Sequence, residues 1–290
     1  MEHNKIPGMR GHIGRNGEYL ADVLTEKTLE FISNSKGKPW CAYLSHYAVH
    51  VPLQAKRDII KKYEAKKPGR LHQHAVMAAM IESVDEGVGR LVAKLEETGQ
   101  RDNTIIFFFS DNGGYGPATD MAPLLGYKGN YFEGGIRVPF FVNWPGKIQD
   151  GQKSAEPIIG VDLYPTFLEL AGGDRLGQPL DGVSLVSLFR GRKESLGRRP
   201  LYWHFPAYLQ SYDVYEEQRD PLFRTRPCSV IRLGDWKLHE YFEDGALMLY
   251  NLRDDIGEQN DLAKERPQLV KKLHGMLQSW RKETGAIVPK

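Results

Sequence analysis

Thr104-Ile105-Ile106-Phe107-Phe108-Phe109-Ser110-Asp111-Asn112-Gly113-Gly114 is an apolar run that stops at an acid, an amide and two glycines. An apolar block without polar alternation suits a strand buried on both faces of a parallel sheet. In open α/β folds, chemistry collects just beyond the carboxyl ends of such strands. Asp111 and Asn112 offer a carboxylate and an amide carbonyl, hard oxygen donors suited to calcium or magnesium. Gly113 and Gly114 permit backbone conformations and close approaches that a side chain would forbid. The same letters also spell an ordinary strand ending in an Asn-Gly turn.

Outward from this stretch, a glycine-rich loop runs from Gly113 to Gly135 and carries Gly126-Tyr127-Lys128-Gly129. A loop that long inside a compact domain is functional or disordered. It leads through Glu133-Gly134-Gly135-Ile136-Arg137-Val138-Pro139 into a second apolar strand, Phe140-Phe141-Val142. Upstream, Trp40 to Ser45 reads as a buried strand, followed by His50-Val51-Pro52. Downstream stand Val161-Asp162-Leu163-Tyr164-Pro165-Thr166 and Leu249-Tyr250-Asn251-Leu252. In this order and spacing the segments resemble the sulfatase family, from about Gly17 to the C-terminus.

The resemblance implies an α/β fold: an alkaline-phosphatase-like sandwich whose mostly parallel central sheet is N-terminally incomplete, plus a small C-terminal α+β subdomain with an antiparallel sheet. The expected division is 1–196 for the core and 197–290 for the subdomain. Asp111 and Asn112 would be the second pair of calcium ligands. Lys128 would match the lysine that contacts the sulfate or bridging oxygen. His50 would match the histidine of the His-x-Pro turn, which binds sulfate or helps protonate the leaving group. Val49 stands where many members have proline, and His46 is a competing candidate. Asn112 also discriminates: related metal-dependent phosphatases tend to have histidine there, and a nitrogen ligand suits zinc.

One part of the pattern is not found. The family nucleophile is a formylglycine made within a Cys/Ser-x-Pro-x-Arg motif. Cys41 is followed by Ala42-Tyr43, Cys228 by Ser229-Val230, and in Ser154-Ala155-Glu156-Pro157 the proline comes one place late. The early Asp-Asp metal pair is not found either; Asp254-Asp255 reads as a turn. The chain is therefore expected to correspond to the C-terminal portion of a sulfatase and to be inactive alone. In the intact protein the expected activity is hydrolysis of a sulfated carbohydrate or an aryl sulfate. The alternatives are a sulfated-glycan binder without turnover, a phosphatase or phosphodiesterase of the same superfamily, and an incomplete, aggregation-prone product.

Glu133 and Arg137 read as a structural ion pair or cap. Trp203-His204-Phe205-Pro206 either brings His204 to a sugar at the pocket rim or forms an aromatic core strand. Asp120, His72 and His74 acquire no role.

With 41% hydrophobic and 26% charged residues, the composition is that of an ordinary globular protein. A net charge of +2 gives no footprint for nucleic acid. No run approaches the ~20 apolar residues of a membrane span. The expected partner is a sulfated small molecule or glycan, and the oligomeric state is left open. Met1-Glu2-His3-Asn4-Lys5 shows no signal-peptide core; a periplasmic, secreted or lysosomal location is implied by family analogy alone. Cys41 is expected as a buried thiol, with one Cys41–Cys228 bridge left open. Helices are expected over Tyr19–Ile32, His74–Leu95, Leu163–Leu170 and Arg266–Glu283, with Ile81 on the apolar face of the second. Short strands are expected at Leu201–Trp203, Ser229–Leu233, Trp236–Tyr241 and Leu247–Leu252.

Overall fold

A computed structural model describes residues 17–173, 177–192, 195–197, 199–210 and 222–289. The N-terminal Met1–Lys5 segment and parts of the basic 191–199 linker lie outside the described residues. The chain divides into two compact units, Met1–Thr104 and Ile105–Lys290. The division expected at 196/197, drawn where short strands begin, falls inside the second unit.

The first unit is helical. α1 (Leu20–Asn34) and α2 (Arg57–Glu64) both pack on α3 (Ala75–Glu97). The buried stripe of α3 is Met77, Ala79, Met80, Ser83, Gly87 and Leu95. The two methionines are core filler, whereas Ile81 is 52% exposed and lies off that stripe, because the helical turn carries it to the far side. At the α1–α3 crossing a Cβ on Gly87 would lie 2.7 Å from Thr25 Oγ1, while one on Gly89 would meet open space. Gly89→Ala should therefore stabilise the helix by about 0.5–1 kcal/mol, and Gly87→Ala should destabilise it by pushing α1 away. Thermal unfolding of the two variants checks the opposite signs.

Two expectations fail in this unit. Trp40–Ser45 has no regular secondary structure and pairs with no strand among the described residues. Apolar character alone does not make a strand; a ladder partner is needed. Cys41 is correspondingly exposed, and both Cys41 and Cys228 are free thiols.

The second unit is α/β, with antiparallel sheets in its C-terminal region. β1 (Ile106–Phe109) pairs antiparallel with β2 (Phe140–Asn143), Ile106 opposite Asn143 and Phe109 opposite Phe140. The described ladders are all antiparallel. The inner face of this ribbon holds an aromatic cluster: Phe107 lies 5.0 Å from Phe167 on α5 (Leu163–Leu170) and 5.9 Å from Phe189 on α6 (Val186–Phe189). Phe108 and Phe141, opposite each other, are 40% and 65% exposed, so β1 is not buried on both faces as its composition suggested. Between the strands lies a single helical turn, α4 (Glu133–Ile136).

The larger sheet runs β3-β6-β7-β8, all antiparallel, from β3 (Pro200–Phe205), β6 (Cys228–Leu233), β7 (Trp236–Tyr241) and β8 (Leu247–Asn251). A short ribbon of β4 (Leu209–Gln210) and β5 (Phe223–Thr225) stands apart from it. α7 (Pro267–Thr284) covers one face, with Leu273 and Leu277 against Ile231, Leu238 and Leu249. Period-two alternation sends Lys237 and His239 to the opposite face. That face is buried too: both residues are 0% exposed. Lys237 Nζ lies 3.0 Å from both Glu133 and Glu258, and His239 stacks 4.9 Å from Phe132.

Candidate functional site

β1 delivers the chain to the turn Ser110–Gly114. Ser110 Oγ donates to Asn112 O at 3.0 Å, and Asn112 Nδ2 donates to Gly113 O at 2.9 Å. The amide nitrogen is thus the end that the protein holds, which orients the Asn112 carbonyl oxygen away from it. Asp111 is exposed. Past this point the backbone enters a tightly interlocked set of glycines. Gly113 N–H donates to Gly135 O at 2.9 Å, and Gly134 N–H donates to Leu125 O at 2.8 Å. A Cβ on Gly113 would sit 1.8 Å from Gly134 O, and one on Gly134 would sit 2.2 Å from Gly126 O. Only glycines allow these three backbones to touch.

The same packing brings in Lys128. Its N–H donates to Gly114 O at 2.8 Å, so the lysine stands one backbone hydrogen bond from the Asp111–Gly114 turn. Gly126 and Gly129, at φ of 81° and 103°, make the left-handed bends on either side. The Lys128 side chain is half-buried and forms no ion pair among the described residues. On its far side Arg224 of β5 donates to Lys128 O at 3.5 Å and to Gln210 O at 2.7 Å, bracing the lysine turn against the β4–β5 ribbon.

The Lys128 main chain thus meets the Asp111–Gly114 turn at its last residue, Gly114. His50 belongs to the first unit, on an exposed turn where its N–H donates to Tyr47 O at 2.9 Å and its Nδ1 lies 3.0 Å from Val51 O. His46, the competing histidine, has both ring nitrogens buried without a partner, and burial holds its pKa below the usual imidazole value. His204 is engaged on both sides: Nδ1 is 2.8 Å from Ser229 Oγ and Nε2 2.9 Å from Ile287 O. One tautomer, protonated at Nε2, satisfies both contacts. Glu133 and Arg137 form an ion pair at 3.3 Å.

Hard oxygen donors at Asp111 and Asn112 fit calcium in kind, but two protein oxygens are fewer than the six to eight it takes. No cluster of three or more His, Cys, Asp or Glu side chains suited to a metal exists among the described residues.

Comparison with known proteins gives the family. The family profile described as "Sulfatase" matches residues 2–173. This chain belongs to the sulfatase family. A second profile, "N-sulphoglucosamine sulphohydrolase, C-terminal", matches residues 127–283 and takes in Lys128, the α4 turn and the four-stranded sheet. A "Sulfatase" of Formosa agariphila is 35% identical over 290 residues, covering 91% of this chain and 50% of that protein. "Uncharacterized sulfatase YdeN" of Escherichia coli is 29% identical, covering 90% of this chain and 50% of that protein. A solved structure of Ps i-CgsB in complex with k-i-k-neocarrahexaose superposes with a TM-score of 0.78 at 30% identity, over 93% of this chain and 56% of that one. The fold is thus the alkaline-phosphatase-like fold of the sulfatases. This sulfatase chain spans about half the length of the curated relatives it matches.

Sequence reasoning missed Lys237, His239, Glu258 and Arg224. The alternation in Trp236-Lys237-Leu238-His239-Glu240 does put Lys237 and His239 on one face. A lysine and a histidine on one strand face, however, are the ordinary mark of a solvated side.

Proposed function

We propose that the Asp111–Gly114 turn and Lys128 form the cation- and sulfate-binding part of a sulfate-ester hydrolase site. The observation that supports this reading is the 2.8 Å hydrogen bond from the Lys128 backbone N–H to Gly114 O, which joins the main chain of a lysine without a carboxylate partner among the described residues to the end of an oxygen-donor turn. Asp111 and Asn112 would hold calcium, which when bound would neutralise and polarise the sulfate oxygens. Lys128 supplies a compact positive charge for the sulfate or the bridging oxygen, needing no bidentate geometry. The resemblance would give His50, whose Nδ1 lies 3.0 Å from Val51 O, the role of binding sulfate or, as imidazolium, of protonating the leaving oxygen in the intact protein. His204 would reach a sugar only by releasing Ser229 or Ile287. The likeness to a protein solved with a neocarrahexaose supports a sulfated glycan over an aryl sulfate.

Sulfate titrated into the 290-residue chain should shift the amide resonances of Gly113 and Lys128 saturably, and Lys128→Ala should abolish the response. No response in the unaltered chain would overturn the reading. The sequence has no Cys/Ser-x-Pro-x-Arg motif, so the chain alone should not turn over aryl sulfate. Turnover that disappears in Asp111→Ala would contradict this. Calorimetry should show no micromolar calcium affinity, given two protein oxygens. Saturable glycan binding without turnover would favour the binding-module alternative, and turnover of aryl phosphate in preference to aryl sulfate the phosphatase alternative.

A further inference from the structure

We propose that Lys237 and Glu258 are positioning residues that set the register of the Asp111–Gly114 turn and Lys128 from the opposite side of the α4 turn. The proposal rests on reading that turn as the sulfate and cation site, but its structural part stands apart from it. Glu258 Oε2 accepts the Glu133 N–H at 2.5 Å, and Lys237 Nζ lies 3.0 Å from Glu133 Oε1 and 3.0 Å from Glu258 Oε1. Glu133 is thereby held at its backbone nitrogen and at its carboxylate. Arg137 and Arg232, at 3.3 and 3.6 Å, take the other carboxylate oxygen. The next two residues are Gly134, bonded to Leu125 O, and Gly135, whose carbonyl receives Gly113 N–H. From there the path reaches Gly114 and Lys128 N–H. A displaced Glu133 would carry Gly135 O with it, since no side chain in the glycine set can take up the slack.

Two further observations separate this from ordinary core packing. Glu258 has φ of 51°, and is the non-glycine residue at positive φ among those described. Glycine or asparagine would fit that backbone with less strain, and a strained residue persists where its side chain is needed. Its neighbour Gly257 approaches the loop directly: a Cβ there would lie 2.8 Å from Pro123 O. The turn after β8 therefore grips the 113–135 segment at two points, through Glu258 on Glu133 and Gly257 on Pro123.

The test is amide hydrogen exchange on the full chain, read at Gly113, Gly134 and Lys128 against Ile231 and Leu238 in the sheet. Glu258→Gly removes the carboxylate and relieves the backbone. It should speed exchange at the three loop amides by about tenfold or more while the sheet amides stay unchanged, as expected of a local opening. Glu258→Gln keeps an acceptor for Glu133 N–H and should give a smaller, equally local increase. It carries the test if Glu258→Gly does not fold. Arg281→Met removes the ion pair to Glu240 on the other face of β7 and should leave the loop amides as they are. Loop exchange that is unchanged in both Glu258 variants, or that rises only together with the sheet amides, overturns the proposal. Selective loop exchange in a chain that shows no sulfate response would keep the positioning role and refute the sulfate reading.

Discussion

Lys237→Met should lower the stability of the 105–290 unit by about 3–5 kcal/mol, the range for removing one partner of a buried ion pair. A thermal transition of a unit this size should drop by roughly 10 °C. The methionine fills similar volume, so the loss is electrostatic: Glu133 and Glu258, both buried, would face each other with no ammonium between them. Burial alone would raise the Glu258 carboxyl, but Lys237 and the His239 hydrogen bond outweigh it and hold the pKa below the usual glutamate value. A depressed carboxyl contributes stability that is present above its unfolded value of 4.5 and is lost as pH falls through the folded pKa. His239 acts in the same direction: burial first, then Lys237, lower its pKa despite Glu258, so the folded chain resists protonation as pH falls below 6.5. The unaltered protein should therefore weaken from about pH 6.5 downward and more steeply below about 4.5. In Lys237→Met, burial is no longer opposed by the cation and the carboxyl rises, so acid relieves the variant. The two melting curves should converge as pH falls from 7 toward 4.5. A constant gap across that range would mean the loss came from packing.

Gly113→Ala should disable the loop with a smaller thermodynamic cost, about 1–3 kcal/mol for a forced overlap. The added methyl would lie 1.8 Å from Gly134 O, a backbone atom that cannot rotate away. The turn must open, breaking the bond from Gly113 N–H to Gly135 O and moving Asn112 relative to Lys128. The sulfate response at Lys128 should vanish while the β6–β7 amides keep their protection. Gly151→Ala, at φ of 71° with nothing within 4 Å of its Cβ, is the control for backbone strain without overlap. If both variants behave alike, the close approach at Gly113 is not what holds the loop.

Much of this organisation was legible in the chain. The helices at Leu20–Asn34, Ala75–Glu97, Leu163–Leu170 and Pro267–Thr284 follow their apolar spacing within two residues at each end, and Trp236–Tyr241 begins and ends where its turn signals stand. The Asp-Asn-Gly-Gly turn could be singled out because it ends an apolar run with an acid, an amide and two glycines, and Lys128 because the segments around it resemble those of the family. Burial was less legible. The Phe107–Phe109 run and Cys41 look like core, yet Phe108 and Cys41 are exposed, since composition cannot supply the neighbours that would cover them.

The sequence by itself determined the four longer helices and the strands of the four-stranded sheet, which depend on local spacing, and its ordered segments pointed to the family. Tertiary structure alone decided that Lys237 and His239 lie inside. Alternation assigns them a common face of β7, but whether that face meets water depends on Glu133 and Glu258, 104 residues before Lys237 and 19 after His239, arriving to neutralise and hydrogen-bond them. Desolvated charge is stable only when its partner is in place, and no local pattern records where that partner will come from.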